Sequence, residues 1–220
     1  MNQRKIIFFH LPKTAGTSVK LALTSSFGED KVDLIYGREF FNQKLEAFLQ
    51  AGKSLGIGHM PWLKEYNALL SGYTKITFLR HPVYRTISHY LHVKYSSDPD
   101  HTYFKQMNFP EFLATNAGSN DMTRRLGGGF YQEEVPADVF YEEARENVVK
   151  RFDFVGTTEN MVKDWKRLKK VLRKRLKPVD HLNQGSFSEE ALLLRTQYET
   201  EIIAANTLDL KLYDLAKSRS

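Results

Sequence analysis

The sequence contains no cysteine, and this absence excludes several classes of site. A chain without thiols has no disulfide bonds, no cysteine nucleophile and no cysteine-ligated zinc. It also has no apolar run of the length that crosses a membrane, and no signal-peptide pattern stands before its first predicted strand. Acidic residues are outnumbered, with 26 Asp and Glu against 32 Lys and Arg. The protein is therefore modestly basic and folds without covalent cross-links.

The rest of the composition is that of a folded domain. Apolar residues make up 41% of the 220 positions, and 15 Phe and 11 Tyr exclude a disordered chain. Neither repeats nor low-complexity tracts divide the sequence. A chain of this length suits one α/β domain with a sizeable core, so we expect a single domain over residues 1–220.

Much of the net charge of +6 is concentrated in residues 163–177. Apolar residues recur there at helical spacing, which predicts an amphipathic helix with a crowded basic face. This face is either solvated or a docking strip for an anionic glycan or an acidic carrier. Nucleic acid is not expected as a partner, because no basic motif with interleaved aromatic residues is present.

A short turn joins the first predicted strand to the first predicted helix. Ile6–Phe9 has the apolar character of a strand, and helical apolar spacing begins at Val19. Backbone N–H groups and the positive end of a helix dipole at such a junction attract anions. We therefore expect a phosphate or phosphosulfate to bind at this turn; the alternative is a capped helix with its lysine in solvent. The turn residues are Lys13, Thr14, Ala15, Gly16, Thr17 and Ser18.

A second strand-to-helix junction follows at Arg80. Ile76–Leu79 is another short apolar strand, Pro82 suits the first turn of a helix, and Ser88 lies two turns further on. The end of the strand and the following helix can therefore present Arg80 and Ser88 to one anion. The planar guanidinium group of arginine binds two phosphate oxygens at once. In an open parallel sheet both junctions lie at the carboxyl ends of strands, where ligands bind. The alternative is a structural Arg-Pro turn with Arg85 on a solvated face.

Two motifs resemble those of the sulfotransferases that use 3′-phosphoadenosine 5′-phosphosulfate (PAPS). The Pro-Lys-Thr-x-x-Thr-Ser run at residues 12–18 resembles their 5′-phosphosulfate loop and differs from a Walker A sequence, in which Lys follows the second Gly. Residues 80–85, with Ser88, resemble their 3′-phosphate motif, although His81 stands where an acid is common. The resemblance covers nearly the whole chain. It implies a P-loop-NTPase-like α/β fold, an open parallel sheet flanked by helices, and sulfuryl transfer from PAPS without a metal.

A third segment resembles the heparan sulfate 2-O- and 6-O-sulfotransferase branch of that family. His59 follows the short predicted strand Leu55–Gly58, as a Gly-His pair does there. The resemblance implies that His59 is the base that takes the proton from an acceptor hydroxyl. It also implies that Lys13 stabilises charge on the leaving phosphate. His10 is the rival base and a candidate substrate-binding residue, and a structural histidine is the alternative for both rings.

Four further residues are assigned by resemblance. Asn120 and Arg124 belong to a stretch similar to the family's Asn-x-x-Thr-Arg-x-Leu near the acceptor cleft, although a structural turn accounts for them equally well. In the family a polar loop closes over the adenosine and the 3′-phosphate, and Asn183 and Ser186 lie at the matching place. The acceptor that the resemblance favours is a carbohydrate hydroxyl.

Two other functions stay open at this point. A metal-dependent kinase of the same fold would place an acidic Mg²⁺ ligand at a strand end, and the sequence identifies none. A non-catalytic module would bind sulfated or phosphorylated glycans on the basic helix. Golgi members of the family carry a membrane anchor and luminal disulfides. This chain shows neither, so we expect a soluble, cytoplasmic protein of bacterial type; its oligomeric state is not predicted.

Overall fold

Five parallel strands form the centre of the protein. The structure is a computed structural model that describes residues 4–37, 41–130, 132–179 and 188–219. The strands are β1 (Lys5–Phe9), β2 (Val32–Ile35), β3 (Leu55–Gly58), β4 (Tyr73–Leu79) and β5 (Phe154–Thr157). Their order in the sheet is β2-β3-β1-β4-β5, and each of these pairings is parallel. The predicted open parallel α/β sheet is therefore confirmed.

Helices cover both faces of this sheet. They are α1 (Gly16–Phe27), α2 (Phe41–Ala51), α3 (Tyr66–Leu69), α4 (Pro82–Tyr95), α5 (Thr102–Lys105), α6 (Phe109–Leu113), α7 (Asp121–Leu126), α8 (Tyr141–Glu146), α9 (Met161–Leu172), α10 (Glu189–Ala205) and α11 (Thr207–Ser218). Short 3-10 helices lie at Glu29–Lys31, Pro99–His101 and Ala137–Phe140, and a short π-helix lies at Asn147–Arg151. In the part of the chain that the structure describes, no helix combines the length and the apolar character that a bilayer span requires.

The central strand β1 is buried on both faces. Ile6 and Phe8 belong to the apolar cluster formed with α1 and α9, whereas Ile7 and Phe9 belong to the cluster formed with α2, α7 and α11. A strand buried on both faces has a continuous apolar run, which is the pattern that predicted it. The chain leaves β1 toward β2 and leaves β4 toward β5, so the sheet has a switch point between β1 and β4. Ligand sites of such sheets lie at the carboxyl ends of the strands beside that point.

Apolar residues at helical spacing, among them Ile202, Leu208 and Leu212, predict one helix over residues 189–216, but the structure has two helices there. Asn206 separates α10 from α11. Its side-chain amide donates to the Ile202 carbonyl at 3.0 Å, and its side-chain oxygen accepts the N–H of Asn120 at 2.8 Å. The prediction was wrong because this side chain bonds to backbone groups and competes with the regular helical pattern.

The basic helix predicted over residues 163–177 is shorter than expected. It is α9, and it ends at Leu172 because Arg173 adopts the left-handed conformation with φ 49°. Leu176, beyond the end of the helix, is still buried in the cluster that includes β1 and α1. The apolar spacing there reflects burial in the core and not a helix over the whole range.

A buried ion cluster joins α4 to α7. The fully buried Arg85 guanidinium donates to the Asp121 carboxylate and, at 3.1 Å, to the Ala117 carbonyl. Arg125 Nε donates to both Asp121 oxygens at 3.1 Å. Burial alone would raise the pKa of Asp121, but the charges of Arg125 and Arg85 hold that pKa below its usual range. Arg85 is therefore inside the protein and not on the solvated face considered for it from the sequence.

Asp121→Asn should destabilise the fold by about 3–5 kcal/mol, because two buried guanidinium groups would lose their counter-charge. The free energy of unfolding in urea measures this loss. The matched control is Glu142→Gln, which breaks an exposed pair with Arg145 and should change the free energy of unfolding by less than about 1 kcal/mol. Equal effects of the two substitutions would contradict the structural role of the buried cluster.

Candidate active site

A large cleft opens at the carboxyl ends of β1, β3 and β4. It brings together nine of the residues predicted for the site: His10, Lys13, Ala15, Gly16, Thr17, Ser18, His59, Arg80 and Ser88. Thr14, Asn120 and Arg124 do not line it. Asn183 and Ser186 lie outside the described residues. Within the described ranges, no three His, Asp or Glu side chains are placed to share a metal ion.

The turn after β1 offers backbone donors to the cleft. Lys13 and Ala15 adopt left-handed conformations with φ 65° and 59°, a strained state for residues other than glycine. Ala15 stands at the N-cap of α1 and supplies no capping side chain. The buried hydroxyl of Thr14 donates to the Leu11 carbonyl at 2.9 Å, and this hydrogen bond stabilises the turn. With no side-chain cap at the start of α1, its N-terminus is suited to bind an anion.

Cations are crowded beside this turn. Arg80 Nη1 donates to the Lys13 carbonyl at 3.2 Å, so the two predicted anion-binding junctions touch. Burial, followed by the charges of Arg80 and Arg85, lowers the pKa of Lys13. Burial also lowers the pKa of Arg80, against the opposing charge of Glu159. No carboxylate in the described part of the chain pairs with the Lys13 ammonium, so the charge at the turn favours an anionic guest.

His59 is a neutral imidazole with a fixed tautomer. Its Nδ1 lies 2.5 Å from the carbonyl oxygen of His10. A carbonyl can only accept, so the ring proton is on Nδ1 and the lone pair is on Nε2. Burial and the nearby charge of Arg125 lower the pKa of His59 to about 4. The ring is therefore neutral near pH 7 and able to accept a proton at Nε2.

His10 lies between the turn and His59. Its side chain is 8% exposed, and its ring stacks against Phe8 with the ring centroids 5.5 Å apart. The His59 centroid is 4.2 Å from that of His10. A Cβ atom on Gly16 would lie 1.5 Å from His10 Nε2, so only glycine fits beneath the ring. The glycine of the turn is thus required by the histidine that precedes it.

Two neighbours of these histidines were missed in the sequence. The Tyr36 hydroxyl is 2.8 Å from His10 Nδ1, and the Tyr36 ring lies 4.7 Å from that of His59. Tyr36 directly follows β2, and that place at the carboxyl end of a strand was a clue that the sequence offered. Arg125 lines the cleft. The resemblance pointed to its neighbour Arg124 instead.

Asn120 and Arg124 are engaged in hydrogen bonds within the protein. The Asn120 side-chain amide donates to the Ala205 carbonyl at 2.9 Å, and its oxygen accepts the N–H of Leu208 at 3.0 Å. Arg124 donates to the side-chain oxygen of Asn116 at 2.6 Å. These bonds fit the structural turn that was the alternative for both residues. Their contact with an acceptor stays a prediction.

The sequence model of the Sulfotransferase family matches residues 2–215. The chain belongs to the sulfotransferase family. The resemblance carried by the two anion-binding motifs is thereby confirmed for nearly the whole chain. Among proteins of curated function, none matches the sequence.

Two solved structures of other sulfotransferases are similar to this protein. Mouse sulfotransferase SULT7A1, in a crystal structure complexed with PAP, matches with a TM-score of 0.52 at 12% identity, over 97% of this chain and 89% of that chain. A sulfotransferase from Alicyclobacillus acidocaldarius matches with a TM-score of 0.47 at 14% identity, over 97% of this chain and 96% of that chain. The likeness to the mouse protein is one of fold, and it confirms the P-loop-like sulfotransferase architecture.

In the folded sulfotransferase, His59 should stay neutral until the pH falls to about 4, because burial and the charge of Arg125 disfavour its cationic form. Nitrogen NMR of isotopically labelled histidine measures this titration and should show the proton on Nδ1 above that pH. The control is the urea-unfolded chain, in which histidines titrate at about 6.5. Titration of His59 at the unfolded value in the folded protein would contradict its burial.

Proposed function

We propose that this protein transfers a sulfuryl group from PAPS to the hydroxyl of an acceptor, with His59 as the general base. The observation that carries the proposal is the contact of Arg80 with the Lys13 carbonyl. This contact joins the anion site at the turn to the anion site at the end of β4, and PAPS carries one anion for each. The mouse sulfotransferase of the same fold was crystallised with PAP, and we extend that ligand class to this chain.

The residues of the cleft fit such a nucleotide. The N–H groups of residues 13–18 and the Lys13 ammonium are donors suited to the 5′-phosphosulfate. Arg80 and Ser88, from a strand end and the following helix, are donors suited to the 3′-phosphate. Because no carboxylate among the described residues neutralises Lys13, its charge is available to the ligand.

His59 and Lys13 divide the catalytic work in this proposal. PAPS supplies the sulfuryl group, and its 5′-phosphate is the leaving group. His59 Nε2 takes the proton of the acceptor hydroxyl while the hydroxyl oxygen forms the new bond to sulfur. Lys13 stabilises the charge that remains on the phosphate oxygen when the old sulfur–oxygen bond breaks. The neutral tautomer of His59 suits this role, since its Nε2 lone pair needs no prior deprotonation.

We propose a carbohydrate hydroxyl as acceptor on the likeness of Gly58 and His59 to the heparan sulfate branch. The cytoplasmic location stays a prediction from the sequence.

PAP, 3′-phosphoadenosine 5′-phosphate, should bind at least about tenfold more tightly than ADP and without Mg²⁺, because Arg80 and Ser88 can hold its 3′-phosphate. Arg80→Ala should remove most of this preference, since a charge-assisted hydrogen bond contributes about 1.5–3 kcal/mol. Isothermal calorimetry measures both affinities. The control Arg145→Ala changes an exposed guanidinium outside the cleft and should leave both affinities unchanged. Equal affinity for ADP and PAP would remove the PAPS assignment and favour a kinase.

His59→Ala should lower turnover by about 10²–10⁴-fold and leave PAP affinity nearly intact, because the base acts on the acceptor proton alone. Lys13→Ala should lower both, since its charge acts on the bound nucleotide and on the leaving phosphate. Turnover is followed with labelled PAPS and an acceptor identified by a mass gain of one sulfuryl group. Lys64→Ala, exposed and outside the cleft, is the control. Near-normal turnover of His59→Ala would rule out His59 as the base.

A further inference from the structure

His10 takes no part in the steps assigned to His59 and Lys13, yet it is a buried polar group of the cleft. Its side chain is 8% exposed, and its Nε2 has no hydrogen-bond partner among the described residues. This atom stands directly over Gly16, the first residue of α1. It therefore lies at the helix end whose N–H groups are assigned to the phosphosulfate. Because His10 lines the cleft, a bound ligand can supply the hydrogen-bond partner that Nε2 does not find in the protein.

The position of the His10 proton follows from its neighbour Tyr36. Burial, with the charges of nearby groups, lowers the pKa of His10 to about 2, so the ring is neutral and carries one proton. Burial raises the pKa of Tyr36 to about 12, so its hydroxyl keeps its proton. The hydroxyl, 2.8 Å from Nδ1, has no other hydrogen-bond partner among the described residues, so we assign it as the donor, which puts the ring proton on Nε2. His10 and His59 then have opposite tautomers: Nε2 donates in His10 and accepts in His59.

We propose that His10 is a further catalytic residue, whose Nε2–H donates a hydrogen bond to an oxygen of the transferred sulfuryl group, and that Tyr36 positions it by fixing the tautomer. The inference rests on the proposed function, since it requires PAPS at the turn. In an in-line displacement the acceptor and the leaving phosphate lie on opposite sides of sulfur. His10 stands between Gly16, on the phosphate side, and His59, on the acceptor side. The sulfuryl group is thus placed beside His10.

A neutral hydrogen-bond donor suits the position of His10, between the acceptor hydroxyl that loses its proton and the leaving phosphate that gains negative charge. It orients the sulfuryl group for in-line attack, while Lys13 supplies positive charge at the leaving oxygen. The tautomer also explains why two adjacent histidines would not compete as bases. His10 Nδ1 is occupied by Tyr36 and its Nε2 is protonated, so His10 has no lone pair free for the acceptor proton.

Two substitutions at position 10 distinguish the contribution of Nε2 from that of Nδ1. In His10→Gln the side-chain amide nitrogen reaches the region of Nε2 and can keep the donor, whereas His10→Asn keeps only the atoms near Nδ1. Tyr36→Phe removes the hydroxyl that fixes the tautomer. For each variant, calorimetry without acceptor gives the affinities for PAPS and for PAP, which differ by the sulfuryl group alone. Tyr95→Phe, at an exposed tyrosine outside the cleft, is the matched control.

His10→Asn should weaken PAPS binding on the order of 10-fold and change PAP binding by less than about 2-fold. His10→Gln should recover most of the PAPS affinity, and Tyr36→Phe should show a smaller loss than His10→Asn. Unchanged PAP affinity also shows that the variants are folded. Equal weakening of PAPS and PAP, or no weakening of either, would overturn the contact with the sulfuryl group.

A measurement on the unmodified protein keeps the proposal testable if a variant does not fold. Nitrogen NMR of labelled histidine should show the His10 proton on Nε2, and Tyr36→Phe should move part of the population to Nδ1. A His10 proton on Nδ1 in the unmodified protein would overturn the proposal. If the unmodified protein bound neither PAP nor PAPS, the proposed function itself would be overturned.

Discussion

Parallel pairing of β1 with β3 and β4 is the constraint on which the site depends. Phe9 lies opposite Gly58 on one side and opposite Thr77 on the other, so β1 and β3 end at the same level and β4 continues two residues further, to Leu79. A hydrogen bond from the His10 N–H to the Gly58 carbonyl, at 2.8 Å, continues the ladder past the end of β1. The turn after β1, the histidine after β3 and the arginine after β4 therefore meet in one cleft although they are far apart in sequence.

Burial and hydrogen bonding then set the protonation and the orientation of the side chains that meet in the cleft. The carbonyl of His10 fixes the tautomer of His59, so the residue that leaves β1 orients the proposed base. The same residue's ring requires glycine at the start of α1, which brings the helix N-terminus close to both histidines. Burial lowers the pKa values of Lys13 and Arg80, and neighbouring cations add to the effect, so a bound anion would stabilise the charged form of both side chains. Donors fixed in place before the reactants arrive are the main source of electrostatic catalysis.

The parts of the site that lie at strand ends could be predicted from the sequence. Each apolar run is followed by small or polar residues, and an open parallel sheet brings such exits to one edge. The hydrogen bond of Tyr36 to His10 could not be predicted, because nothing local marks a bond across 26 positions. The burial of Arg85 and the helix break at Asn206 likewise depend on partners in other helices, which apolar spacing does not reveal. The resemblance located the stretch around Asn120 but not the hydrogen bonds that its side chains make within the protein.

A crystal structure of the protein with PAP tests the two-anion cleft most directly. We expect the 5′-phosphate within hydrogen-bond distance of the N–H groups of residues 13–18 and of Lys13, and the 3′-phosphate between Arg80 and Ser88. His10 Nε2 should then face the side of the 5′-phosphate from which the sulfuryl group has left. A complex with the 3′-phosphate in solvent, or with the nucleotide bound away from the turn, would contradict the proposed site.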